Sequence, residues 1–364
     1  TNELLIKQLK NIGLKNNAIN FFKNYLENRT QQVIISNQKS DTLHVSQGVP
    51  QGTVLGPLLY ILYTNYIFSN DLNCDIVSYA DDTALICSAK TWDEANLCAN
   101  ISLNSINKKF ENLNLHLNTS KTVFMCFSCS KIKNINTNHP IILHSPSCLG
   151  INRSCKCPKI QNTDHTKYLG VIIDKNLKWE KHINLLNTKL RKSIYIFYNL
   201  RKIFDINKLK VIYDSLVNSI LSYGILAWGN AYKTHLHNLE ITQKTIIKIL
   251  LKKEKLFPTI KVFEISKILT IRQIFILKIL IFTFKHKYLF HATSSTYNTR
   301  HAPTFLKPTV NKVILKRQIH FLGPKIFNLL PKQIKNIKSI LKYKTAIKLW
   351  IIKLSLEEIN QFLT

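Results

Sequence analysis

Two apolar, β-prone runs, Cys74 to Tyr79 and Thr83 to Ser88, are separated only by Ala80-Asp81-Asp82. A chain that reverses in so few residues pairs the flanking runs as an antiparallel hairpin. Two adjacent carboxylates then stand at its tip. The neighbouring segments carry a different period. Residues 3–28, 53–70 and 91–112 repeat apolar side chains every three to four positions, which predicts helices. Gln32 to Ser36 and Thr42 to Ser46 predict short strands about a polar turn, and Lys121 to Phe127 and Tyr168 to Asp174 are further strand candidates. Short strands and helices are thus both predicted over this part of the chain.

From Ile183 onward the pattern is mainly helical and strongly basic. The chain holds 51 Lys and Arg against 20 Asp and Glu, but residues 1–150 have a net charge of +2 and residues 151–364 of +29. With 45% hydrophobic residues the chain is no disordered polycation. A folded region this basic suits a polyanion, above all nucleic acid. Lys244, Lys248 and Lys252, four residues apart, with Arg191, Lys192, Arg201 and Lys202, are candidate contacts to a phosphate backbone; a solvated helical face is the ordinary alternative for many of these cations. The most apolar run, Ile274 to Phe284, contains Lys278 and is too short to span a bilayer, so no membrane partner is expected. No internal repeat or phosphate-binding P-loop is visible.

Eight cysteines occur without a secretory signal, which favours free thiols. Cys126-x-x-Cys129 and Cys155-x-Cys157, with His144 and Cys148 between them, have loose spacing for a metal site. Zinc is therefore not expected, and buried or loop thiols are.

Chemistry has two candidate locations. Asp81 and Asp82 offer hard oxygen ligands of the kind that hold Mg²⁺ against substrate phosphates, although an Asp-Asp turn is commonly no more than a turn. Gly48-Val49-Pro50-Gln51-Gly52 is a Gly-rich loop whose backbone can approach a ligand and whose Gln51 amide can bond a base or sugar. Taken by itself, it is also an ordinary strand-to-helix connector capped by Thr53.

Order and spacing join these features. Ser46-Gln47-Gly48-Val49-Pro50-Gln51-Gly52-Thr53-Val54-Leu55-Gly56-Pro57-Leu58 is followed by Tyr79-Ala80-Asp81-Asp82, Asn118-Thr119-Ser120-Lys121-Thr122 and Lys167-Tyr168-Leu169-Gly170. The chain resembles the reverse transcriptase (RNA-directed DNA polymerase) of non-LTR, LINE- or jockey-like retrotransposons. The resemblance implies an α+β fold, with a partial right-hand polymerase palm, an antiparallel sheet with packed helices, over 1–127 and a Cys/Asn/Ser-rich insert over 128–165. It further implies a primer-grip-like hairpin over 166–182, a helical basic thumb-like region over 183–290, and a linker with a basic C-terminal region over 291–364. Asp81 and Asp82 would be catalytic metal ligands for two Mg²⁺. Pro50, Gln51, Gly52 and Tyr79 would shape the nucleotide and template pocket. Tyr168, Leu169 and Gly170 would form the primer grip. Lys121 would be a general acid, or equally a solvated strand-end lysine. The partners implied are an RNA template, a DNA primer and dNTPs, and the compartment implied is the nucleus.

One departure from the family pattern stands out. The family's first palm strand contributes another aspartate. Glu3, Glu27 and Asp41, the acids ahead of the Pro-Gln-Gly loop, lie in no suitable apolar strand. Thr1 opens the sequence and Met125 is its sole methionine, so a truncated chain with an incomplete two-metal site, inactive on its own, is expected. The alternative is a non-catalytic, basic nucleic-acid-binding remnant of a decayed element.

Overall fold

The computed structural model describes residues 2–68, 72–128, 140–145, 148, 155–291 and 305–363. Residues 292–304 of the linker and C-terminal region expected over 291–364, and the middle of the insert expected over 128–165, lie outside them. The chain divides into two compact units, Thr1–Leu169 and Gly170–Thr364.

The first unit is mixed. Helices α1 (Asn2–Asn11) and α2 (Asn16–Leu26) precede four two-residue strands, β1 (Thr30–Gln31), β2 (Ile34–Ile35), β3 (Gln38–Lys39) and β4 (Leu43–His44). β1 pairs with β4 and β2 with β3, both antiparallel, but the chain reverses about Ser36 and Asn37, and Gln38–Lys39, expected in the polar turn, are a strand. Helix α3 (Leu55–Thr64) packs on α1, and Leu5, Ile6, Leu9, Ile19, Leu26 and Leu59 form their shared core. The hairpin of β5 (Asp75–Tyr79) and β6 (Asp82–Ile86) follows. It is succeeded by α4 (Trp92–Asn112), which opens with a capping box between Thr91 and Glu94. Ile76 and Leu85 of the hairpin pack on Ile106 and Phe110 of α4.

The strand expected over Lys121 to Phe127 is reduced to β7 (Val123–Phe124), which pairs in parallel with β8 (Gln161–Asn162). Ahead of it, Thr119 to Lys121 are taken up by a turn: the Asn118 side-chain oxygen accepts from the Ser120 and Lys121 N–H groups at 3.1 and 3.2 Å. The run Tyr168 to Asp174 is not one strand. It is split into β9 (His165–Tyr168) and β10 (Val171–Asp174) by Leu169 and Gly170, both left-handed at φ 45 and 81°.

The second unit is helical. Asp174 starts it: its carboxylate accepts from the Asn176, Lys178 and Trp179 N–H groups and leads the chain into α5 (Glu180–Leu200). There follow α6 (Ile206–Tyr213), α7 (Ser219–Ser222), α8 (Ile225–Trp228), α9 (Lys233–Leu250), α10 (Thr259–Ser266) and α11 (Ile271–Lys285). The unit closes with α12 (Val313–Lys316), α13 (Ile319–Asn328), α14 (Lys332–Lys335), α15 (Ile340–Ile352) and α16 (Leu356–Leu363). Helix α11 is apolar on nearly every side, which suits a helix enclosed by others. It packs on α7, α8, α13 and α15, with Ile271, Ile276, Ile279 and Leu280 fully buried. Gly229, at the end of α8, lets that contact close, since a Cβ there would stand 2.5 Å from the Phe275 ring. Among the described residues no helix is long and apolar enough to cross a membrane.

Candidate functional site

The β5–β6 register places Tyr79 opposite Asp82, Val77 opposite Ala84 and Ile76 opposite Leu85. Alternation along each strand sends Ile76 and Leu85 toward α4 and leaves Tyr79 and Asp82 on the outer face. The turn is Ala80-Asp81, with Ala80 left-handed at φ 53°, a conformation that costs a residue bearing a Cβ about 1–2 kcal/mol. Asp81 and Asp82 are exposed, as is Tyr79 at 67%.

Two tyrosines flank this tip. Tyr60, on α3, has its pKa raised by burial and then by the negative charge of Asp81. Tyr168, at the end of β9, is raised by burial and then by Asp82. The Tyr168 hydroxyl is buried and has no hydrogen-bond partner among the described residues. The helix that follows the Pro-Gln-Gly loop and the strand that precedes the Leu169-Gly170 turn thus both bring a phenol into the field of the Asp-Asp pair. Tyr60 was not identifiable from motif spacing; its place one turn after Gly56 on the same helix was the available signal.

The loop itself is braced from below. The Thr53 hydroxyl donates to Pro50 O at 2.9 Å, accepts from the Gly56 N–H at 3.2 Å, and accepts from the Tyr25 hydroxyl at 3.0 Å. Gly56 is obligatory because a Cβ would lie 2.8 Å from Pro50 O. Gly48 and Gly52 are left-handed, at φ 87 and 75°, and Gln51 and Gly52 face solvent. Lys121 is exposed on the Asn118 turn.

The basic candidates divide. Arg191 and Lys192 are exposed on α5, and Arg201 and Lys202 lie 4.4 and 5.6 Å from the Tyr198 ring centroid at its C-terminal end. The expected stripe of Lys244, Lys248 and Lys252 does not continue as one helical face. Helix α9 ends at Leu250, and Lys252 is left-handed at φ 57° beyond it. Lys248 donates to Lys255 O at 2.6 Å and so closes that helix end.

The cysteines give the clearest correction. His144, Cys148, Cys155 and Cys157 converge, with their ligand atoms all within 4.8 Å of one another. The expectation against zinc is overturned: four side chains of metal-ligating type form one cluster. Loose spacing misled because folding, not sequence proximity, brings the two segments together. A ladder of asparagines on α4 builds it. Asn100 Nδ2 donates to Pro140 O at 3.2 Å and its Oδ1 accepts from the Ile142 N–H at 2.8 Å. Asn104 repeats this with Ile142 O and the His144 N–H, and Asn107 donates to His144 O. The strand-like run thus fixed also bonds the second segment, Leu143 N–H to Pro158 O and Ile160 N–H to Ile141 O. Asn100, Asn104 and Asn107 share one helical face, a spacing visible in the sequence but meaningless there without the strand they grip.

Cys126 is half-buried, with burial raising its pKa, and lies outside the cluster; Cys129 is outside the described residues. The thiols behave differently by place. Burial, then the neighbouring Cys98 and Cys74, push Cys87 up to about 12. Cys157 is lowered to about 7 by the Ser145 backbone, then by His144 and by Cys148 and Cys155. Among the described residues no other group of three or more His, Cys, Asp or Glu converges in this way, and Asp81 and Asp82 gather no third such ligand.

Residues 2–173 match the family model for reverse transcriptase (RNA-dependent DNA polymerase). This stretch is a reverse-transcriptase domain. Both candidate elements, the loop at 48–52 and the turn at 79–82, fall inside it. The chain is 29% identical over 240 residues to the RNA-directed DNA polymerase from mobile element jockey of Drosophila melanogaster, covering 62% of this chain and 24% of that protein. It is 25% identical over 235 residues to the probable RNA-directed DNA polymerase from transposon X-element of the same species, covering 63% and 24%. It is 26% identical over 239 residues to the probable polymerase from transposon BS, covering 62% and 24%. These alignments are longer than residues 2–173, so the likeness to jockey-type proteins continues past the reverse-transcriptase domain. The chain spans about a quarter of the length of these relatives. No solved structure matches it significantly.

Proposed function

We propose that this chain is part of an RNA-directed DNA polymerase of a non-LTR, jockey-like mobile element. The observation that carries the reading is the exposed Asp81-Asp82 hairpin tip inside the reverse-transcriptase domain, flanked by Tyr60 and Tyr168. In that role Asp81 and Asp82 hold divalent metal beside a dNTP, and Pro50, Gln51, Gly52 and Tyr79 line the nucleotide and template pocket. Tyr168, Leu169 and Gly170 steady the primer end, and Lys121 protonates the leaving group. Bound Mg²⁺ would stabilise the attacking and leaving oxygens of nucleotidyl transfer. The described residues fit that group only in part, since no third carboxylate joins the pair. The chain by itself therefore binds template and primer through its basic second unit and does not extend them. Its place of action on RNA template and DNA primer is the nucleus.

A chimera tests the polymerase reading. Residues 2–173 would replace the matching stretch of the jockey polymerase, and RNA-templated primer extension would be measured once circular dichroism shows a folded protein. Extension that falls at least about 100-fold on Asp81→Ala supports the reading. A folded chimera whose extension is indifferent to Asp81→Ala sinks it.

A further inference from the structure

We propose that His144, Cys148, Cys155 and Cys157 bind one Zn²⁺ ion in a closed, four-ligand structural site that fastens the insert onto α4. The inference is independent of the polymerase reading.

The geometry is close to that of a loaded site. A tetrahedral zinc with Zn–S of about 2.3 Å and Zn–N of about 2.05 Å sets each N···S edge at about 3.6 Å. His144 Nδ1 lies 3.4 Å from Cys148 Sγ and 3.7 Å from Cys155 Sγ. The fourth ligand atom, Cys157 Sγ, lies within 4.8 Å of the others, so contraction by about an ångström or less closes the tetrahedron. All four side chains are half-buried, and Ser145, Lys156 and Pro158 join three of them around an open cavity of about 370 Å³.

The donor set selects the metal. Three thiolates and one imidazole suit zinc and exclude Mg²⁺ and Ca²⁺, which require oxygen ligands. Binding converts three thiols to thiolates and releases their protons. The loaded site carries a charge of about −1, and the exposed Lys156, which lies between two of its ligands in the sequence, lines the same cavity. With all four positions filled by protein, no place remains for substrate or activated water, so the site is structural.

Placement explains the purpose. His144 ends the run that Asn100, Asn104 and Asn107 grip, while Cys155 and Cys157 begin the segment that pairs with it. A metal there staples the two segments together at the end the asparagine ladder leaves open.

The test uses the full chain, purified without added metal and measured by inductively coupled plasma mass spectrometry. About one zinc per chain is expected, falling to about zero in Cys155→Ser/Cys157→Ser and unchanged in Cys126→Ser. Where the double variant does not fold, Co²⁺ is titrated into metal-stripped wild-type and Cys126→Ser protein. Tetrahedral d–d bands with thiolate charge transfer, displaced by one equivalent of Zn²⁺, support the site. A wild-type chain that retains no zinc and gives only an octahedral cobalt spectrum overturns it, as does zinc retained in full by a folded double variant.

Discussion

Asn104 grips the backbone on both sides of the peptide run ending at His144: its Nδ2 donates to Ile142 O at 2.9 Å and its Oδ1 accepts from the His144 N–H at 2.7 Å. An amide is the one side chain of this size that offers donor and acceptor together. Asn104→Asp keeps the acceptor but sets a carboxylate oxygen against Ile142 O. Asn104→Ala leaves both backbone groups unpaired. Each substitution costs about 2–4 kcal/mol in stability, to be read from urea unfolding. A loss below about 0.5 kcal/mol in both would show that the ladder is dispensable.

His182 gives the second unit a pH limit. It is buried, its Nδ1 accepts from the Ile172 N–H at 3.3 Å, and its Nε2 has no partner among the described residues. Burial, then the charge of Lys189, lowers its pKa from 6.5 to about 4. Between those values the unfolded chain binds the proton and the folded chain does not, so stability rises with pH across this window and is lost as pH falls through it. Unfolding midpoints measured from pH 4 to 7 are expected to rise, and His182→Gln to flatten the slope. An unchanged slope in that variant would assign the pH dependence elsewhere.

Gly229 is set by two neighbours, the Phe275 ring and the Ile225 carbonyl oxygen, 2.5 and 2.6 Å from where a Cβ would stand, and not by its backbone angle. Gly229→Ala forces α8 and α11 apart or twists the ring, and overpacking of this kind costs about 1–3 kcal/mol. Phe275→Leu in the same background is expected to recover part of the loss by making room for the methyl group. Thermal melts of the two single variants and the pair would show that coupling, and strict additivity would refute it.

Thr53 is the post on which the Pro-Gln-Gly loop stands. Thr53→Val keeps its volume but removes its bonds to Pro50, Gly56 and Tyr25. A loss of about 1–3 kcal/mol is expected, with Tyr25→Phe losing less. Tyr25→Phe proving the more harmful of the two would contradict the hydroxyl's place at the centre of this network.

The sequence exposes what repeats and hides what depends on folding. The β5–β6 hairpin was legible because its two runs are apolar and β-prone and its turn has no slack. Helix α11 was legible as an apolar run too short for a membrane, and it proves to be a helix enclosed within the second unit. Other features obey no local period. The split at Leu169-Gly170 needs two left-handed residues, one of them a leucine. The end of α9 at Leu250 breaks a lysine repeat that looked continuous. The metal-type cluster joins residues 144 and 157 only because Asn100, Asn104 and Asn107 hold one segment while the other pairs with it. Side-chain bonds to distant backbone leave at most a spacing, such as Asn100, Asn104 and Asn107, that has no meaning without the strand it grips.

The most direct measurement follows binding and extension of an RNA–DNA template–primer by the full chain, with Mg²⁺ and with EDTA. The account predicts binding that survives EDTA, weakens steeply with salt as counterions are released, and is unaffected by Asp81→Ala, with no primer extension under any condition. Template-dependent extension abolished by Asp81→Ala would contradict the proposal that the Asp81-Asp82 pair, joined by no third such ligand among the described residues, does not suffice for catalysis. An absence of salt-dependent binding would remove nucleic acid as the partner of the basic unit.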